Sequence, residues 1–513
     1  MNGMHGLVSA AGAAAPARAP ERAAAPAGAL CTAVLEHCEA ALSCLDPGPV
    51  RDTVRRVADR LAEPTLRIAV GGRLKAGKST LVNALLGQNL APTDATECTR
   101  TVAWFRYSHQ NSVQVTPREG EPYRVLPGPG GTIPADLGRD PRQIAGLTIE
   151  VSNDILRRYH TIADTPGLDT LTDDGALDAD SLAALRQCDA LVFVMPHPGQ
   201  QEMQALDAVR AATASCGLGL ANAVGVLSRI DQLGEGVGDP WEQACRISAR
   251  YARRLRAQLA DVIPVAGLLA ETALGGSFTE GDARTLRDLA AGTDLATRER
   301  ILYRPEDWLA ADTVALDTPS RVRLLRMLGL YGIAQSLDLL DAGPMGAARL
   351  LRHYRRDSGI DPLLDFIRTR FVADADALRA GPALAELDQV VWGGATEVER
   401  QALTRLRSAL AAVRSDPALH RARLSGILAD LDAGRLRLPD WAEHDLVDLV
   451  RGASAAGRVG LSADAAPAEA AAAADERISR WRGLESDYRI AVARAAAAVR
   501  ESFEALYYTL ARS

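Results

Sequence analysis

Eight consecutive residues, Gly72-Arg73-Leu74-Lys75-Ala76-Gly77-Lys78-Ser79, set two glycines, a lysine and a hydroxyl at the spacing that holds a chain of phosphates. Gly72 and Gly77 let the backbone wrap so that successive N–H groups face one anion, helped by the positive end of a following helix. Lys78 then reaches the β- and γ-phosphate oxygens, and the Ser79 hydroxyl ligates Mg²⁺. The contact stretch is Gly72, Arg73, Lys75, Ala76, Gly77, Lys78, Ser79 and Thr80. The pattern needs a strand before it and a helix after it. Leu66–Val70 is an apolar run that reads as a buried strand, and Thr80–Leu86 reads as an amphipathic helix.

Other groups follow in the order that a guanine nucleotide site requires. Asp164-Thr165-Pro166-Gly167 closes a strand; its carboxylate is expected to hold Mg²⁺ through water, and the Gly167 N–H to sense the γ-phosphate. Between the two motifs lie Thr93, Thr96 and Thr99 in a polar stretch. Thr99, just before the strand that opens at Thr101, is expected to give a hydroxyl to Mg²⁺ and an N–H to the γ-phosphate, with Thr96 in reserve. In Leu227-Ser228-Arg229-Ile230-Asp231 the Asp231 carboxylate can accept two hydrogen bonds that guanine offers and adenine does not. Ser228 and Arg229 occupy the places usually held by Asn/Thr and Lys, and Arg229 can lay a flat guanidinium over the base. Ala266 and Gly267 are placed to turn a backbone N–H toward the guanine carbonyl.

Positioning these groups takes a sheet with crossover helices. Strands are predicted over Leu66–Val70, Thr101–Tyr107, Val113–Thr116, Leu147–Val151, Thr161–Ala163, Ala190–Met195, Ala223–Leu227 and Val262–Ala266. Their alternation with helical patterns implies a mostly parallel sheet, an α/β head of the P-loop NTPase kind over 63–311. The Pro/Gly-rich interval Pro117–Gly146 reads as a surface excursion. Helical patterns over 29–62 and 312–513 read as an all-α neck and trunk bundle, and 1–28 as a disordered Ala/Pro-rich tail. Thr318-Pro319 and Asp361-Pro362 read as capped helix starts. Ile478, Trp481, Leu484, Tyr488, Val492, Val499, Phe503, Leu506 and Leu510 step by threes, fours and a seven, which predicts one long helix.

Composition narrows the class. Over 513 residues the formal net charge is −7, without the basic excess of a nucleic-acid-coating protein. The seven cysteines contain no C-x-x-C pair, which fits a reducing cytoplasm, and Cys31, Cys38 and Cys44 read as core thiols. No apolar run is long enough to cross a bilayer, so the expected location is cytoplasmic or peripheral on the inner face of the cell membrane.

The chain resembles the bacterial dynamin-like GTPases of the actinobacterial type. The likeness rests on Gly-Arg-x-Lys-Ala-Gly-Lys-Ser-Thr, Ala-Thr-Glu-Cys-Thr-Arg, Ala-Asp-Thr-Pro-Gly-Leu, Leu-Ser-Arg-x-Asp, Pro264–Thr272 and Ser320–Leu324. It implies GTP hydrolysis with Mg²⁺, heads that pair when GTP is bound, a homodimer or a hetero-oligomer with a related dynamin-like protein, and contact with peripheral membrane lipid. Membrane remodelling or septation support is the implied role; the rival is a slow GTP-gated scaffold that recruits division or envelope proteins. Lys75 stands where dynamins commonly have a serine that helps place a cation, so either its ammonium supplies that charge itself or it is a solvated surface lysine. The groups expected to act on the reacting phosphate are therefore Lys75, Lys78, Thr99 and Gly167. Leu168 cannot orient water, so turnover by the isolated monomer should be slow.

Overall fold

The computed structural model describes residues 28–511, leaving out 93–100, 129–130, 135, 159, 166–178, 197–198, 214–221, 231–232, 234–239, 256–257, 313, 393–395, 415, 433, 435 and 453. The chain enters through α1 (Ala29–Leu42) and α2 (Pro49–Ala62), and Pro49 pre-sets the first turn of the second helix. The head follows: β1 (Leu66–Gly72), α3 (Lys78–Leu86), β2 (Val102–Tyr107), β3 (Ser112–Pro117), β4 (Tyr123–Val125), β5 (Ile144–Val151) and α4 (Asp154–Arg158). Next come β6 (His160–Asp164), α5 (Ala179–Arg186), β7 (Ala190–Met195), α6 (Gln200–Thr213), β8 (Ala223–Leu227), α7 (Pro240–Arg254) and β9 (Val262–Pro264).

All nine described strands form one sheet in the order β4-β3-β5-β2-β6-β1-β7-β8-β9. From β6 through β9 every pairing is parallel. Every residue of β7 and β8 is buried, because helices cover both faces. On the other side β2 runs antiparallel to β6, and β3 pairs antiparallel with both β4 and β5. The interval 117–146 is thus no mere excursion: β4 lies within it, and the Tyr123 hydroxyl donates to the Leu137 carbonyl at 2.7 Å. The parallel register sets Gly72, Asp164, Leu227 and Pro264 along one edge of the sheet, the edge where α/β sheets bind ligands.

After β9 the chain is helical. α8 (Gly267–Leu274), α9 (Glu280–Gly292), α10 (Leu295–Ile301), α11 (Pro305–Leu309), α12 (Thr318–Asp341), α13 (Ala347–Asp357) and α14 (Ile360–Phe366) come first. Residues of α12 and α13 share a core with one face of the sheet, and those of α14 share the core of the other. A π-helical stretch, Ile367–Val372, leads to α15 (Ala375–Val390) and α16 (Glu397–Arg414), whose apolar faces bury those of α1 and α2. α17 (Pro417–Asp432), α18 (Asp440–Arg451), α19 (Pro467–Leu484) and α20 (Ile490–Leu510) close a further core around Trp481 and Phe503.

Several helix expectations need correction. The single C-terminal helix is a hairpin, α19 and α20, turning at 485–489, where the Asp487 carboxylate accepts from the Arg489 N–H at 2.8 Å and Tyr488 is exposed. Thr318 does not cap α12: Asp317 holds the N-cap position without a side-chain capping bond, and the Thr318 hydroxyl accepts from Arg321 at 3.1 Å. Asp361 lies inside α14, which starts after a left-handed Gly359. Cys31 and Cys38 are core thiols, whereas Cys44 is exposed.

Candidate functional site

The loop between β1 and α3 is shaped by residues that accept unusual backbone angles. Gly72 has φ of 147°, and a Cβ there would sit 2.2 Å from the Val194 carbonyl oxygen, so any side chain would push β7 away. Gly77 (φ 94°) and Lys75 (φ 60°) are left-handed, a conformation uncommon for lysine. Two side chains from the end of β8 hold that shape: the Ser228 hydroxyl donates to the Ala76 carbonyl at 2.7 Å, and the Arg229 guanidinium donates to the Lys75 carbonyl at 2.5 Å. Lys78 opens α3, is 8% exposed and donates from Nζ to the Arg73 carbonyl at 2.9 Å. Its ammonium is thereby folded over the loop, where phosphate oxygens are better acceptors than a carbonyl.

Ser79 Oγ donates to Asp164 Oδ2 at 2.9 Å. Asp164 ends β6 beside Val70, and its Oδ1 is buried with no hydrogen-bond partner. Burial pushes its carboxyl up to about 6, against the opposing pull of the Lys78 charge and the Ser79 hydrogen bond. A buried orphan oxygen beside a hydroxyl fits a hard cation with oxygen ligands, and Mg²⁺ needs only one or two protein ligands when phosphates supply others. Thr165 fixes the strand end: its N–H and its hydroxyl both donate to the Val70 carbonyl, at 3.2 and 3.0 Å.

A cleft of about 230 Å³ opens beside the loop, and its lining includes Gly77, Thr80, Ser228, Arg229, Gly267 and Leu268. The structure therefore brings the phosphate loop, the end of β8 and the start of α8 to one cavity. Three sequence readings change in detail. The Arg73 side chain points away, toward Glu202 of α6 at 3.4 Å, because that buried carboxylate needs a cation. Ser228 spends its hydroxyl on the loop, not on a base. The Ala266 N–H donates to the Ser358 carbonyl at 2.8 Å, which leaves Gly267 as the member of that pair lining the cleft. Lys75 lies exposed at the loop's crest. Thr96, Thr99, Gly167 and Asp231 lie outside the described residues.

Sequence reading missed Asn83 and Glu271. Asn83 is buried on α3 and donates to Glu271 of α8 at 2.7 Å. The only signal was an amide among apolar residues in Leu81–Leu86.

A family model described as a 50S ribosome-binding GTPase matches residues 67–214. The isoniazid-induced protein IniC of Mycobacterium tuberculosis is 34% identical over 355 residues, covering 67% of this chain and 70% of that protein. A bacterial dynamin-like protein of Nostoc punctiforme is 28% identical over 147 residues, covering 26% of this chain and 21% of that protein. Among solved structures, a chain of an oligomerised bacterial dynamin pair aligns at 12% identity with a TM-score of 0.31, covering 94% of this chain and 76% of that one.

Proposed function

From the premise that the chain belongs to the bacterial dynamin-like GTPases and hydrolyses GTP, we propose that hydrolysis couples pairing of its heads to a swing of its helical region, in service of membrane remodelling or septation support. The observation that carries the nucleotide part is the shared cleft: the phosphate loop, the Ser228–Arg229 turn and Gly267 line one cavity. In this reading Lys78 clamps the β- and γ-phosphates, and Asp231 reads guanine beside Arg229 and Gly267. Ser228 keeps the loop in its binding shape. Ser79, Thr99 and Asp164 hold Mg²⁺, directly or through water, and Gly167 senses the γ-phosphate. The bound ion would neutralise charge on the phosphates as the bridge to the γ-phosphate breaks. Lys75, exposed on the crest, adds positive charge near that bridge.

The working partition is a head over 63–311 and a helical region over 29–62 and 312–513. Burial of α1 and α2 against α15 and α16 supports it, and the packing of α12–α14 on the sheet offers the path between the two. Among the described residues no helix is long and apolar enough to cross a membrane, so lipid contact in this reading is peripheral. A second copy or a related dynamin-like chain supplies the partner head.

The test is GTP turnover against protein concentration, with and without anionic liposomes, alongside ATP competition. Turnover per molecule should rise with concentration and with lipid. Flat, slow turnover in every condition would replace this reading by the GTP-gated scaffold, and equal competition by ATP would remove the guanine assignment.

A further inference from the structure

α3 and α8 lie side by side with both N-termini at the cleft. A Cβ on Gly267 would lie 3.4 Å from Thr80 Cγ2, and at the far end one on Gly87 would lie 3.6 Å from the Leu274 carbonyl. The two helices are thus parallel. One begins at the phosphate loop and the other at the turn after β9, and both starts line the same cleft, so how the two helices sit against each other sets how the two parts of the lining are placed.

Midway, one polar group crosses between them. Asn83, 1% exposed, donates from Nδ2 to Glu271 Oε1 at 2.7 Å and to the Ala91 carbonyl at 3.0 Å. Its Oδ1 accepts from the N–H groups of Leu90 at 2.9 Å and Ala91 at 2.7 Å. All four hydrogen-bonding positions of the amide are filled. Packing of ridges into grooves holds the two helices in register, and a directed bond from a filled amide adds to that hold at one fixed point.

We propose that Asn83 and Glu271 are a positioning pair that fixes α8 against α3 and so sets the span between the phosphate end and the base end of the nucleotide cleft. The proposal rests on the reading of that cleft as the GTP site. Neither residue touches the nucleotide; their effect is on how well one rigid ligand reaches both ends. Burial pushes the Glu271 carboxyl up to about 7 against the pull of Asn83, so the bond lies in a partly dry seam where it is strong.

The experiment compares the parent with Glu271→Gln, which keeps an acceptor for Asn83, and with Glu271→Met and Glu271→Ala, which remove it. Affinities for GDP and for pyrophosphate are measured by calorimetry, with KM and kcat for GTP. Loss of a bond of this kind should weaken GDP binding and raise KM by about tenfold, with kcat within about twofold of the parent. Pyrophosphate, which occupies one end only, should bind every variant as it binds the parent, and Glu271→Gln should stay within about threefold of the parent for GDP. Equal losses for GDP and pyrophosphate would show general loosening of the fold and overturn the proposal. Parental GDP affinity in whichever acceptor-free variant folds would overturn it as well. If the parent itself binds pyrophosphate but gains nothing from the guanosine of GDP, the cleft reading fails instead, a separate outcome.

Discussion

Replacing Asp164 by Asn separates what the carboxylate does for the nucleotide from what it costs the fold. Burial carries this carboxyl from an ordinary 3.8 to about 6, a rise worth about 3 kcal/mol at about 1.4 kcal/mol per pKa unit. Between those two values the folded protein keeps a proton that the unfolded chain has released. Stability therefore falls as pH rises through that window, and the whole cost is present above about 6. Asn carries no charge and still offers Ser79 an oxygen. Free of nucleotide and divalent cation, Asp164→Asn should be more stable than the parent by up to about 3 kcal/mol near neutral pH, and indistinguishable near the ordinary carboxylate pKa. For a unit of about 150–250 residues that gain raises Tm by roughly 6–12 °C. Turnover of GTP should fall by about 10–100-fold, the usual effect of losing a group that orients a metal's ligands. His160 has the opposite dependence, because burial lowers its pKa to about 4, so the variant-minus-parent difference at each pH is the quantity to plot. Thermal unfolding in EDTA across about pH 4–8 measures it. A variant no more stable than the parent near neutral pH, or a difference that does not vary with pH, would refute the reasoning.

Ser228→Ala removes the donor to the Ala76 carbonyl and should raise KM for GTP about five- to tenfold, with about 1 kcal/mol lost from stability; an unchanged KM would mean that Arg229 alone shapes the loop. Arg379 is 4% exposed on α15 and donates to the carbonyls of Arg60, Leu61, Glu63 and Pro64 where α2 runs into β1. Arg379→Met strands those acceptors and should cost roughly 3 kcal/mol in urea unfolding, and a loss below about 1 kcal/mol would show that the joint is held otherwise. The ring nitrogens of His160 are buried with no hydrogen-bond partner. Folding keeps the ring neutral down to about 4 while the unfolded chain takes a proton near 6.5, so parental stability drops as pH falls through that window. His160→Leu should therefore gain about 2 kcal/mol more at about pH 5 than at about pH 8, checked by denaturant titration at both.

How far a residue can be read from sequence follows from how local its constraint is. The strand–loop–helix around Gly72–Ser79 is legible because a tight backbone path needs glycine at set places. β7 and β8 are legible because a strand covered on both faces is an unbroken apolar run. β4 is not: Tyr123–Val125 is short and stands among Pro and Gly, and its pairing with β3 marks it as a strand only once the sheet is assembled. The α19–α20 turn is hidden for another reason. Apolar spacing runs on through Leu484, Tyr488 and Val492, and periodicity registers angle about a helix axis without registering reversal of the axis. At the site the same limit applies to single atoms. Ser228 stands in the place usually held by an Asn or Thr, but its hydroxyl reaches a carbonyl 152 positions earlier in the chain. Asn83 and Glu271 meet across 188 positions, and neither stands at a place that a phosphate- or base-binding pattern specifies. Motif spacing encodes what the backbone must do around the ligand. The bonds that hold separate motifs in register join distant parts of the chain, so a substitution inside a motif has to be judged by the atom its side chain meets. By that measure Ser228 is a tie between the end of β8 and the phosphate loop, through the Ala76 carbonyl.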